Sequence, residues 1–168
     1  MAIKTLQDLY VAELQEARSV EAMLIDALPK MAKAASEEQL RRAFEQHLKA
    51  TRDQLASIEA LIKKADADPH EHHDQSMQVL IEQAQKMAGM VTDGPLRDAA
   101  LIASAQRIEH YEIAVYGTLA TYARILGLDN DYEILSGILG EEKDADDLLT
   151  DIAIGMVNPS VAEKEASG

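Results

Sequence analysis

No stretch of this chain alternates apolar and polar residues as a half-buried strand must, whereas four long stretches repeat apolar residues every three or four positions. That periodicity commits the chain to helices, and the breaks in it mark where each helix stops. Thr5, with Asp8 three residues on, caps a first helix running to about Ala35, with Pro29 expected to kink its end. Ser36 followed by Gln39 reads as a capping box opening a second helix that reaches about Ala65. The polar loop DADPHEHHD and a shorter amphipathic segment, SMQVLIEQAQKMAGM, come next. Thr92-Asp93-Gly94-Pro95 is a turn that places proline at the first position of a third long helix, which ends at Leu126 before Gly127. Asn130 with Glu133 caps a fourth helix lasting to about Val157.

The connections set the topology. Helices one and two are tightly joined, as are three and four, so each pair should form an antiparallel hairpin. The long middle connection, with its short fifth helix, allows a crossover along the bundle, as in ferritin-like folds. The expectation is one all-α domain, a ferritin-like antiparallel four-helix bundle over residues 1–157, followed by a flexible tail over 158–168. At 47% hydrophobic residues the chain can fill such a core, and one Phe with no Trp implies aliphatic packing between close helices. The 30 Asp and Glu against 16 Lys and Arg give a formal charge of −14 with no basic stripe, which argues against a nucleic-acid partner. No stretch is apolar enough to span a membrane, and the absence of cysteine suits a reducing, cytoplasmic setting.

Acids inside the apolar stripes carry the functional signal. The first helix presents Tyr10, Leu14, Ala17, Glu21, Leu24 and Leu28 on one face. The third presents Leu101, Ala105, Ile108, Glu112, Val115, Leu119 and Tyr122, and the fourth Leu135, Ile138, Glu142, Ala145, Leu149, Ile152 and Met156. Each stripe is apolar except for one mid-helix glutamate. The corresponding polar residue of the second helix is His47, with Gln54 two turns on; Glu109 and Asp146 lie one turn from Glu112 and Glu142. Three carboxylates at one depth of a core repel one another unless some hold protons or a cation joins them. Carboxylates with one imidazole are suited to iron or manganese, as a mononuclear or dinuclear centre. The bland alternative for any one of these residues is a structural acid paired with a neighbour, or a core histidine bonded to backbone. The run His70, Glu71, His72, His73, Asp74 lies in a polar loop and reads as solvated.

The stretches IKTLQDLYVAELQEARSVEAML, RDAALIASAQRIEHYEIAVYGTLATYA and EEKDADDLLTDIA resemble the YciF/YciE-type bacterial stress proteins over nearly the whole chain. The resemblance implies a ferritin-like fold of five helices, a homodimer, and a relationship in fold to rubrerythrin and manganese catalase. It matches the family's inward acids to Glu21, Glu112, Glu142 and Asp146. It also exposes a departure: where many relatives read His-Leu-x-Glu-Thr, this chain has His47-Leu48-Lys49-Ala50-Thr51, so Ala50 stands where an acid would complete the set. A single ion, a rearranged pair using Glu109, and an empty polar core all remain open. If the chain is an enzyme, the chemistry implied is metal-dependent redox on peroxide or dioxygen. The alternative is a non-enzymatic, dimeric structural or partner-binding bundle with a degenerate site. A second apolar run on the first helix, Leu9, Ala12, Val20, Met23 and Ala27, is expected to be the dimer face.

Overall fold

A computed structural model describes residues 3–167. Helix α1 spans Leu6–Ala34, α2 Glu38–Lys64, α3 Gln75–Met90, α4 Gly94–Ile125 and α5 Asp129–Ile152; a π-helical turn, Ala153–Val157, leads into α6, Asn158–Ala166. Among the described residues there is no strand. The protein is all-helical, with α1 packed on α2 and α4, and α5 packed on α4 and α2, so the four long helices close a ring around the core. Helix α3 lies outside that ring against α4 and α1.

Local chemistry explains most boundaries. Thr5 Oγ1 accepts the Asp8 N–H while Asp8 Oδ2 accepts the Thr5 N–H, the reciprocal cap expected of this pair. Gly127 adopts φ 71°, and beyond the end of α4 the Gly127 and Leu128 N–H groups donate to the Arg124 and Ala123 carbonyls. That double bond is the Schellman arrangement, for which glycine costs no Cβ clash.

Three boundaries depart from expectation. Ser36 does not cap α2. Asp98, buried on α4, instead accepts the Ser36 and Glu37 N–H groups at 2.8 and 2.7 Å, while the Glu37 side chain accepts from Gln39. Asn130 lies inside α5, whose cap is Leu128 without a side-chain bond, because the turn at Gly127 already brings the chain into helical geometry. Residues 158–166, expected as a loose tail, continue as α6, which rests on α4 and pairs Lys164 with Asp93.

The core is divided. Val20, Leu24, Leu28, Leu40, Phe44, Met77, Leu101, Ile108 and Leu149 fill one half. Tyr10, Leu14, Ile58, Ile62, Tyr116, Leu119, Leu135 and Ile138 fill the other. Burial of each such side chain stabilises the fold by roughly 1.5–3 kcal/mol, so both halves are well supported. The supposed dimer face of α1 is largely consumed within the chain: Val20 and Ala27 are buried in the same cluster as Met77 and Ile81 of α3, and Ala12 is also buried. Leu9 and Met23 of that stripe are only half-buried.

Candidate metal centre

Between the two apolar halves lies a polar layer one or two turns deep. Each long helix contributes to it at mid-length, because helical spacing carries the apolar stripe straight through the polar position. From α1 comes Glu21, between Ala17 and Leu24; from α2 come His47, Thr51 and Gln54; from α4 Glu109 and Glu112; from α5 Glu142. Glu21, Glu112 and Glu142 have no solvent exposure, and Glu109 has 4%.

His47, Glu109, Glu112 and Glu142 converge. One ligand atom from each lies within 4.8 Å of every other. His47 Nε2 stands 3.4 Å from Glu109 Oε1, 3.6 Å from Glu142 Oε2 and 4.0 Å from Glu112 Oε2. Glu21 and Asp146 are not part of this group. Glu21 accepts a hydrogen bond from the buried Tyr116 hydroxyl. Asp146 is tied to Gln106 and, at 3.2 Å, to the exposed His110, and acts on Glu109 only through its charge. A position one turn from a ligand on the same helix can still point past the centre, and Asp146 does.

Electrostatics in the layer follow from burial without a counter-charge. Desolvation pushes the Glu109 and Glu112 carboxyls well above the usual carboxylate range, and the neighbouring Glu142 charge pushes them further. Glu21 is raised by the same desolvation, partly relieved by the Tyr116 bond. Burial lifts Glu142 to about 7, held back by hydrogen bonds from Glu109 and Gln54. Burial also lowers His47 to about 4, keeping the imidazole neutral. Burial thus favours the protonated form of these acids and the neutral form of the histidine.

Hydrogen bonding leaves the layer incomplete. His47 Nε2, Gln54 Oε1, both Glu112 oxygens, Glu109 Oε2, Glu142 Oε2 and Glu21 Oε2 are buried without a hydrogen-bond partner. Orphaned buried polar atoms cost about 1–3 kcal/mol each and are rare in native cores. A neutral imidazole with three carboxylates is a donor set suited to iron or manganese, so the residues present fit such an ion.

Two contributors escape a reading of the sequence. Tyr116 is buried on the face where Val115 was expected, and the signal was its place one turn after Glu112. Glu141, exposed and adjacent to Glu142, is joined to the layer through Gln54, whose Nε2 donates to Glu141 Oε2 at 2.8 Å and to Glu142 Oε1 at 2.6 Å. Nothing in helical periodicity marks Glu141, because it lies off the stripe.

Comparison with known proteins gives a consistent picture. Protein YciF of Escherichia coli strain K12 is 40% identical over 165 residues, 98% of this chain and 99% of that protein. The crystal structure of the E. coli stress protein YciF superposes with a TM-score of 0.88 at 41% identity, covering 93% of this chain and 99% of that one. A protein of Rhodopseudomonas palustris described as structural matches at TM-score 0.84 and 36% identity, over 88% of this chain and 94% of that one. A protein of Xanthomonas campestris pv. campestris, at 21% identity and TM-score 0.75 over 96% of this chain and 99% of that one, shares the fold. Residues 5–162 match the family described as Domain of unknown function (DUF892), and the chain belongs to that family together with the E. coli stress protein YciF.

Proposed function

We propose that the protein is a ferritin-like antiparallel four-helix bundle of the bacterial stress-protein type, and that its polar layer binds iron or manganese. The observation that carries this reading is the convergence of buried, orphaned ligand atoms from three helices. His47, Glu109, Glu112 and Glu142 would hold the ion, while Glu21, held by Tyr116, borders the set. An iron or manganese ion bound there supplies redox chemistry toward peroxide or dioxygen. The chain's own part is to hold the ligands, exclude water through the flanking apolar clusters, and favour protonated acids until a cation displaces the protons. Protein loaded with Fe²⁺ or Mn²⁺ and then dialysed should retain metal by elemental analysis; retention of none would end this reading.

A second reading, a structural bundle with a degenerate centre, is favoured by Ala50, which offers no ligand where α2 faces α5. The two readings separate at Ala50→Glu. If the other acids form a metal site, the new carboxylate should raise metal retention and stabilise the loaded form, while lowering stability in chelator by several kcal/mol for an unpaired buried charge. An Ala50→Glu variant that holds no more metal and melts lower under both conditions supports the structural reading. We also propose a homodimer in a reducing, cytoplasmic compartment. Exposed large apolar side chains among the described residues include Val79, Met87 and Met90 of α3, Ile125 of α4 and Ile154 of the π-helical turn. No helix of the described residues is long and apolar enough to cross a membrane.

A further inference from the structure

The centre is closed on nearly every side, yet an ion must reach it. Glu112 and Glu142 side chains are fully buried and Glu109 is 5% exposed, so His47, at 9%, is the ligand nearest to solvent. A groove of about 410 Å³ between α2 and α5 ends on His47. Its walls are open because Ala43, Ala50 and Ala145 occupy them, and its rim carries the exposed acids Glu141 and Asp144. Beyond His47 a small void of about 20 Å³ continues to Glu109, room for about one water molecule. The cavities against α3 and against the α1–α2 turn touch none of the four ligands.

We propose that this groove is the route by which a divalent cation reaches the centre, with Glu141 and Asp144 as its first binding site; this rests on the metal-centre reading above. Three features act in sequence. The rim carboxylates concentrate cations at the mouth, as fixed charges of one sign do in a cleft. His47 lines both the groove and the void, and its unpartnered Nε2, turned toward the acids, accepts the ion as it passes. Gln54 ties the outer carboxylate to the inner one, donating to both Glu141 and Glu142, so the two ends of the path are held in fixed register. The ion exchanges water for protein oxygen and nitrogen stepwise instead of crossing an apolar layer bare, which would carry the full desolvation penalty of a buried charge.

The test is the rate of Co²⁺ uptake by the whole protein, followed by visible absorption in stopped flow, with final stoichiometry measured separately. The paired change Glu141→Gln with Asp144→Asn keeps the shape and removes the charge. It should slow uptake about tenfold at low ionic strength, with the difference fading at high salt, and leave the endpoint unchanged. Ala50→Leu narrows the groove and should slow uptake at every salt concentration, again with the same endpoint. Wild-type rates in both variants would overturn the route while leaving the centre intact. A lower endpoint in the exposed double variant would make Glu141 or Asp144 a resident ligand and also overturn it. Failure of the wild type to take up Co²⁺ would remove the centre and the route together.

Discussion

Glu142 is buried between Ile138 and Leu149 on α5, two apolar neighbours from opposite halves of the core, and it accepts a hydrogen bond from Gln54 at 2.6 Å. Replacing it by leucine tests what such a residue is for. In chelator, Glu142→Leu exchanges a desolvated carboxyl for an apolar group and should stabilise the protein by about 1–4 kcal/mol. That corresponds to roughly 2–4 °C of melting temperature per kcal/mol for a chain this long. In the presence of iron or manganese the same variant should lose the metal-dependent rise in melting temperature, since that rise depends on binding to the native state alone. A variant that keeps the rise would show that Glu142 is not a ligand. Residue identity at this position was readable in advance, because one acid in an otherwise apolar stripe is conspicuous at helical spacing. The separate roles of Glu21 and Asp146 were not. Spacing says which face a residue is on, and only the rotation of the packed helix says which neighbour it meets.

At the scale of elements, the α1–α2 turn is held by α4. The buried Asp98 carboxylate accepts two backbone N–H groups that the start of α2 cannot satisfy internally, and Arg97 Nε donates to the Ala34 carbonyl at the end of α1. Charge-assisted bonds of this kind are about twice as strong as neutral ones. Asp98→Ala should therefore cost about 2–3 kcal/mol, by leaving two donors unpaired, and should do so equally in loaded and metal-free protein. Urea unfolding of the variant would measure it; a loss under about 0.5 kcal/mol would mean that water replaces the carboxylate. The Ser36–Gln39 signal misled by one residue: the Glu37 side chain accepts the Gln39 N–H, while Asp98 holds the Ser36 and Glu37 N–H groups just before the helix. A second cap tells a similar story with a different residue. At the end of α2, Asp66 takes a left-handed φ of 55° and, with Ala67, donates backbone N–H to the Lys63 and Ile62 carbonyls. Asp66→Gly keeps those bonds, removes the Cβ strain, and should stabilise the protein by about 0.5–1 kcal/mol in thermal melts; a loss of stability would mean that the Asp66 side chain itself supports the turn.

Across the whole molecule, the buried titratable layer that divides the core makes stability depend on pH. His47, with its folded value lowered to about 4, contributes stability that is fully present above about 6.5 and lost as pH falls toward 4. Glu142, raised to about 7, and Glu21, Glu109 and Glu112, raised further from the ordinary range, act in the opposite sense. Their stabilisation is complete below about 4.5 and is lost as pH rises through their folded values. Above pH 6.5 only the glutamates still act, so metal-free protein should lose stability up to pH 8, at up to about 1.4 kcal/mol per pH unit for each acid that remains protonated. The gain from added iron or manganese should grow over the same interval, because binding must expel those protons. Melting curves at pH 6.5 and 8, with chelator and with metal, check both slopes; parallel curves would exclude a linkage between metal and these protons.

Helical class, the four long elements and the Gly127 stop were all decided by the sequence itself, because each depends on spacing along one chain or on the geometry of a single turn. Three matters belonged to tertiary structure. Helix α3 covered the second apolar face of α1, and the sequence could not say so, since an amphipathic segment does not specify which stripe it buries. Asp98 reached across to the N–H groups just before α2, and α6 extended a tail that composition made look loose. The centre itself belongs to both: its acids stand out within each helix, but their meeting within 4.8 Å, and the exclusion of Asp146, came from how the helices turn against one another. Hydrophobic periodicity specifies a face to within about a turn, whereas a coordination shell is decided by ångströms, and packing alone supplies that precision.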